Sequence, residues 1–189
     1  GKSKITPHAY TDSASSATSL TSGIKTYNDS INVDATGVGV PPISRTLQAD
    51  GFAVGVVTSV PISHATPGCA YSNNVHRNDY QDITRDLIGR PSVFHPNGLS
   101  GVDVLIGGGW GIDVEKDGAQ GMNFVPGNKY ITGDDLAAID VANNGKYVVA
   151  QRTSGMSGTE VLNAGVAQAK GNQQRLFGYF GVTLGHLPF

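Results

Sequence analysis

Four short apolar runs, 51–60, 102–106, 146–150 and 175–180, constrain this chain more than any other feature. Runs of this length that do not alternate with polar residues are the pattern of strands buried on both faces, as in parallel sheets. Stretches with helical signals separate them. Residues 43–49 have helical apolar spacing. Thr66-Pro67 offer a cap and a first-turn proline for a helix predicted to reach Arg77. A further helix is expected over 80–88. Thr132-Gly133-Asp134-Asp135 begin another whose amphipathic spacing covers 136–142 and which Gly145 stops. Residues 159–170 read as a helix closed by Gly171. Near the start, 13–24 is expected to be a short helix with Gly23 as its C-cap, and 28–42 reads as loop. Strands alternating with helices predict an α/β fold, a mostly parallel sheet covered by helices on both faces. No internal repeat or linker divides 1–189 into two domains.

Charge narrows the partners. Thirteen basic against 15 acidic residues leave a net charge of −2, so no field draws nucleic acid or an anionic membrane surface. No apolar run approaches the length of a membrane span. The single cysteine, Cys69, has no partner for an internal disulfide and lacks the paired spacing of a structural zinc motif, so it is expected to be a small buried filler in a helix.

Two segments carry chemistry. Tyr10-Thr11-Asp12-Ser13-Ala14-Ser15-Ser16-Ala17-Thr18 sets an acid and a hydroxyl side by side where a helix begins. Unpaired backbone N–H groups and the macrodipole favour a phosphate there. An ordinary N-cap role for Asp12 accounts for the segment as well. The second segment is His64-Ala65-Thr66-Pro67, just beyond the first apolar run and followed by Arg77. Ligand sites of open α/β sheets lie outside the carboxyl ends of strands. Arginine's planar fork grips two phosphate oxygens at once. Singly, these residues also read as a helix cap, a solvated loop histidine and a surface charge.

The run from Thr11 to Thr18, with Thr21-Ser22-Gly23-Ile24-Lys25-Thr26-Tyr27-Asn28 after it, resembles the nucleophile region of alkaline phosphatases. His64-Ala65-Thr66-Pro67 with Arg77-Asn78 resembles that family's second active-site segment. Residues 102–109 resemble its Ile-Gly-Gly-Gly strand and loop, and Gln174-Arg175-Leu176-Phe177-Gly178-Tyr179-Phe180 a later strand. The resemblance implies an alkaline-phosphatase-like fold, incomplete in this chain, and hydrolysis of small phosphomonoesters to inorganic phosphate. By the same resemblance Ser13 is the nucleophile that forms a phosphoseryl intermediate, Asp12 orients Arg77, and Arg77 holds the non-bridging oxygens. Thr66 matches a magnesium ligand, and His64 falls where a ligand or a neighbour of the magnesium site stands. Family members also carry a pair of zinc ions, form homodimers, and are periplasmic or secreted.

The family's zinc ligands lie on an Asp-Gly motif before the nucleophile and on later Asp-x-x-x-His, Asp-His and lone His positions, and this chain has none of them. His8, His76, His95 and His186 match no zinc motif and are expected to be solvated or packing residues. Two explanations fit: the chain is the central portion of a longer alkaline phosphatase, or it is a metal-free, catalytically incomplete fragment that binds phosphate. Two readings from other classes compete. A nucleotide-binding module on Gly107-Gly108-Gly109-Trp110-Gly111 lacks the regular glycine spacing and a Walker lysine. A Ser/His/Asp hydrolase using Ser13 and His64 lacks the Gly-x-Ser-x-Gly elbow.

Overall fold

Parallel pairing organises the molecule. The computed structural model describes residues 10–152 and 155–181. Strands β1 (Gly55–Pro61), β2 (Val104–Gly108), β5 (Tyr147–Gln151) and β6 (Arg175–Tyr179) form one sheet in the order β1-β2-β6-β5, parallel throughout. Val56 pairs with Leu105, Leu105 with Phe177 and Val149 with Phe177, so the central residues lie in register across the sheet. A two-residue antiparallel ribbon, β3 (Asp113–Val114) with β4 (Gly127–Asn128), stands beside the main sheet.

Helices lie on both faces. On one, α1 (Ser13–Ser22), α3 (Ala65–Cys69) and α4 (Tyr80–Ile88) build the larger core around Ala14, Ile62, Ile83, Leu87, Leu105 and Phe177, all buried. On the other, α6 (Gly158–Asn172) packs Val161 and Ala169 against Val148, Ala150 and Leu176. Helices α2 (Ile43–Ala49) and α5 (Gly133–Ile139) complete the described elements, with a single 3-10 turn at Val141–Asn143. None of the described helices is long and apolar enough to cross a membrane.

Local chemistry explains most boundaries. Asp12 caps α1 by accepting from the Ser15 N–H, and Gly23 ends it in the left-handed conformation. Thr132 caps α5, and Ser157 and Glu160 cap α6 reciprocally.

Five expectations differ from the structure. The helix opened at Thr66-Pro67 stops at Cys69 rather than Arg77, because the Asn32 side chain takes up the Cys69 and Ser72 carbonyls and the chain turns away. His64, not Thr66, stands at its N-cap position. The run 51–60 is not buried on both faces: β1 begins at Gly55 and is an edge strand among the described residues, with Val57 71% exposed. The helix expected through 142 ends at Ile139, where Asp140 turns to extended backbone and its side chain starts the 3-10 turn; α6 in turn passes through Gly171 to Asn172. Cys69 is buried at the end of α3, as expected.

Candidate active site

Asp12 is the residue on which the site is assembled. Its Oδ1 accepts from the Ser15 N–H at 2.8 Å and from the Ser15 hydroxyl at 2.8 Å. Its Oδ2 accepts from Arg77 Nη1 at 2.9 Å and from the Asp29 N–H at 3.0 Å. Partial burial pushes this carboxyl upward, but the bonds from Ser15, Asp29 and Arg77 outweigh it and hold the group at about 2. Asp12 is therefore an anion at any working pH and a fixed anchor for the guanidinium. Its role as an N-cap and its role as orienter of Arg77 turn out to be the same geometry.

Ser13 follows immediately, exposed at the first position of α1, and its hydroxyl hydrogen-bonds no described residue. The site thus sets an uncommitted hydroxyl at a helix N-terminus beside an arginine that spends one nitrogen on Asp12. That combination suits a tetrahedral oxyanion, because the rest of the guanidinium fork and the helix end both offer donors.

The loop after α1 fixes these parts relative to one another. Asn28 Oδ1 accepts from the Asp12 N–H at 3.2 Å and from the Ser15 hydroxyl at 3.0 Å. Asp29 donates its N–H to Asp12 and accepts the Arg77 N–H on its carbonyl at 2.7 Å. Ile31 and Asn74 exchange backbone bonds at 2.8 and 2.9 Å. Asp29 and Asn32 both adopt positive φ, 71° and 46°, a conformation for which asparagine and aspartate are the best non-glycine residues. The signal in the sequence was the Asn28-Asp29 pair and Asn32, but turn-prone residues in a loop do not reveal what the turn holds.

His64 lies in an aromatic group. Its ring stacks on Tyr80 at 5.4 Å and meets Tyr130 edge-on at 5.9 Å, while Lys129 sits 5.3 Å over the Tyr80 ring. Burial drives the Tyr130 hydroxyl up to about 12 and also raises that of Tyr80, which the Arg77 charge partly counters, so both rings are neutral packing surfaces. The His64 ring thus packs among aromatic side chains. Thr66 is exposed and borders a groove of about 230 Å3 with Gly55, Val56, Val57, Thr58, Pro67 and Ala70. The structure therefore joins Asp12 to Arg77, with Ser13 next in sequence, and Thr66 lines the groove against β1.

His95 accepts from Arg45 on Nε2 at 2.9 Å, which leaves Nδ1 to donate to Asp86 at 2.8 Å, a packing role. His76 is exposed and its Nδ1 accepts from the Asn78 N–H. His8 and His186 lie outside the described residues. Burial pushes the Cys69 thiol up to about 11, which removes it as a nucleophile. The glycines after β2 serve packing. A Cβ on Gly107 would stand 2.8 Å from Thr58, and Gly109, at φ 113°, would bring one within 2.6 Å of the Tyr130 ring. Among the described residues no three His, Cys, Asp or Glu side chains gather into a metal site. One threonine hydroxyl and a stacked histidine do not complete the oxygen-rich shell magnesium requires, nor a zinc tetrahedron.

Comparison with known proteins identifies the family. Residues 2–174 match the family model described as alkaline phosphatase. Alkaline phosphatase 3 of Bacillus subtilis (strain 168) is 37% identical over 99 residues, covering 52% of this chain and 21% of that protein. Among solved structures, the cold-active alkaline phosphatase from the psychrophile Shewanella sp. superposes with a TM-score of 0.63 at 24% identity, over 96% of this chain and 34% of that one. The His 135 Asp mutant of TAB5 alkaline phosphatase, with Mg bound in its M3 site, superposes with a TM-score of 0.57 at 23% identity, over 94% of this chain and 40% of that one. The chain thus spans about a fifth of the length of the curated relatives it matches. The match over residues 2–174, on a sheet and helices that superpose on solved alkaline phosphatases, makes this chain a member of the alkaline phosphatase family.

Proposed function

We propose that this chain is the nucleophile-bearing section of a longer alkaline phosphatase, which hydrolyses small phosphomonoesters through a phosphoseryl intermediate. The observation that carries the reading is the 2.9 Å Arg77–Asp12 ion pair beside the unpartnered Ser13 hydroxyl at the start of α1. Ser13 Oγ attacks phosphorus, the ester oxygen leaves as the alcohol, and water then attacks the phosphoserine to release inorganic phosphate. Arg77, oriented by Asp12, holds two non-bridging oxygens as charge spreads over them, and the α1 N-terminus adds its dipole. Dividing one displacement into two keeps the substrate anchored by the same donors throughout.

In this reading the complete enzyme carries zinc and magnesium, which make the serine a competent nucleophile. This chain contributes Thr66, and His64 beside it, to the magnesium side. The Mg reported for the TAB5 mutant supports the expectation for magnesium. The described residues do not complete either site, so no step is assigned here to a metal. A periplasmic or secreted location and a homodimer belong to the same proposal.

The test is hydrolysis of p-nitrophenyl phosphate at alkaline pH by the polypeptide at its natural length. Turnover that a chelator abolishes, and that Ser13→Ala disables, supports the reading. Hydrolysis of carboxylic esters that persists in chelator, without phosphatase activity, contradicts it. The 189-residue chain alone should bind inorganic phosphate without turnover, because no described residue accepts a hydrogen bond from the Ser13 hydroxyl.

A further inference from the structure

Asn32 is wholly buried, lies at positive φ, and uses every hydrogen-bonding position of its side chain. Its Nδ2 donates to the carbonyls of Cys69 at 2.7 Å and Ser72 at 2.8 Å, at the end of α3. Its Oδ1 accepts from the hydroxyls of Thr21 at 2.9 Å and Ser22 at 2.7 Å, at the end of α1. Its own N–H donates to the Thr18 hydroxyl at 2.9 Å, and that hydroxyl donates to the Ser30 carbonyl at 3.2 Å. One side chain therefore ties the helix that presents Ser13 to the helix that carries Thr66.

The connection extends to the arginine. Four residues upstream, Asn28 and Asp29 hold the other end of α1 through Asp12, and Asp29 also holds the Arg77 backbone. Helix α1 is thus gripped at both ends by residues 28–32. Since α1 has only ten residues, movement at its far end is transmitted to Ser13.

We infer that Asn32 is a positioning residue of the phosphate site, which sets the nucleophile helix against α3 and so fixes Ser13 relative to Arg77 and Thr66. This rests on the phosphatase reading above. Asn32 touches neither the proposed substrate position nor the reacting atoms; it acts through α1. Its chemistry is specific: asparagine supplies two donors, an acceptor for two hydroxyls, and tolerance of positive φ in one residue. Aspartate would turn an acceptor toward two carbonyls, and alanine would lose both the bonds and the conformational tolerance.

The molecule supplies its own reporter. Cys69, the single cysteine, is fully buried, with Sγ 3.4 Å from the Ala14 carbonyl and 3.5 Å from the Thr18 hydroxyl of α1. A thiol reagent reaches it when α1 lifts from α3. The experiment compares Asn32→Gly, which keeps positive φ accessible, with the double variant Thr21→Val and Ser22→Ala, which cuts the clamp from partly buried positions. Cys69 labelling is measured on the 189-residue chain under conditions that keep it folded. The kcat and KM for p-nitrophenyl phosphate are measured on the natural-length polypeptide, per folded molecule.

Asn32→Gly is expected to speed labelling at least about tenfold and to lower kcat about tenfold, with KM changing less than about threefold. The double variant should move both readouts the same way by less. Unchanged labelling overturns the clamp. Faster labelling with unchanged kcat per folded molecule overturns the positioning role, even where the thermal midpoint falls. If the unsubstituted protein turns over no phosphomonoester, the phosphatase reading fails by itself, and labelling still decides whether Asn32 holds α1 to α3.

Discussion

Replacing Asp12 with asparagine separates the charge of the cap from its shape. Asparagine caps helices as well as aspartate does, so the bonds to Ser15 can persist. At the Oδ2 position, however, an NH2 group would face the Arg77 guanidinium and the Asp29 N–H, which can only donate. In the native chain the carboxyl lies at about 2 instead of 3.8: burial works against this, and the bonds from Ser15, Asp29 and Arg77 prevail. Transmitted in full, at ~1.4 kcal/mol per pK unit, that difference amounts to about 2.5 kcal/mol. The pair is open to water, with the Arg77 side chain 25% and the Asp12 side chain 20% exposed. Screening therefore reduces the expected loss to about 1 kcal/mol. Because the folded pKa lies below the unfolded one, this stability is fully present above the unfolded value of 3.8 and disappears as pH falls through about 2. Urea unfolding of the 189-residue chain should show Asp12→Asn less stable by about 1 kcal/mol at pH 7, with most of the gap gone at pH 2.5. A gap of the same size at both pH values would refute the reasoning, since it would show that shape rather than charge was lost.

Arg77→Lys keeps a positive charge but cannot hold Asp12 and grip two phosphate oxygens together. It should weaken inorganic phosphate inhibition about tenfold or more while lowering kcat less, and equal damage to both would count against a mainly binding role. Gly109→Ala should destabilise the fold by about 2 kcal/mol or more in urea unfolding, because a Cβ at φ 113° meets the Tyr130 ring. Val57→Lys, on the exposed face of β1, should leave the stability of the 189-residue chain within ~0.5 kcal/mol; a loss of several kcal/mol would mean that this face is covered.

Elements with strong end signals were legible in the sequence. Asp12 and Gly23 cap α1 as expected, although the helix ends at Ser22 rather than Ile24, and α4 spans the expected Tyr80–Ile88. The pairing of Asp12 with Arg77, 65 residues apart, followed from the family resemblance and is present as an ion pair. What failed depended on contacts distant in sequence. Helix α3 ends at Cys69 because Asn32, 37 residues earlier, captures its terminal carbonyl, and no local pattern contains that information. The apolar run at 51–60 looks like a central strand, but centrality depends on neighbours, and β1 has β2 on one side alone among the described residues. The segment 28–32 is the least legible part: its residues advertise turns, and the sequence does not show that those turns join α1 to Arg77.

The account stands most directly on the identity of the attacking oxygen. The natural-length polypeptide, mixed with a phosphomonoester and quenched in acid, can be digested and its peptides mapped by mass spectrometry. Phosphate on Ser13, absent from Ser13→Ala, is the predicted result. Phosphate on Ser15, Ser16 or any other residue, with Ser13→Ala still active, would contradict it.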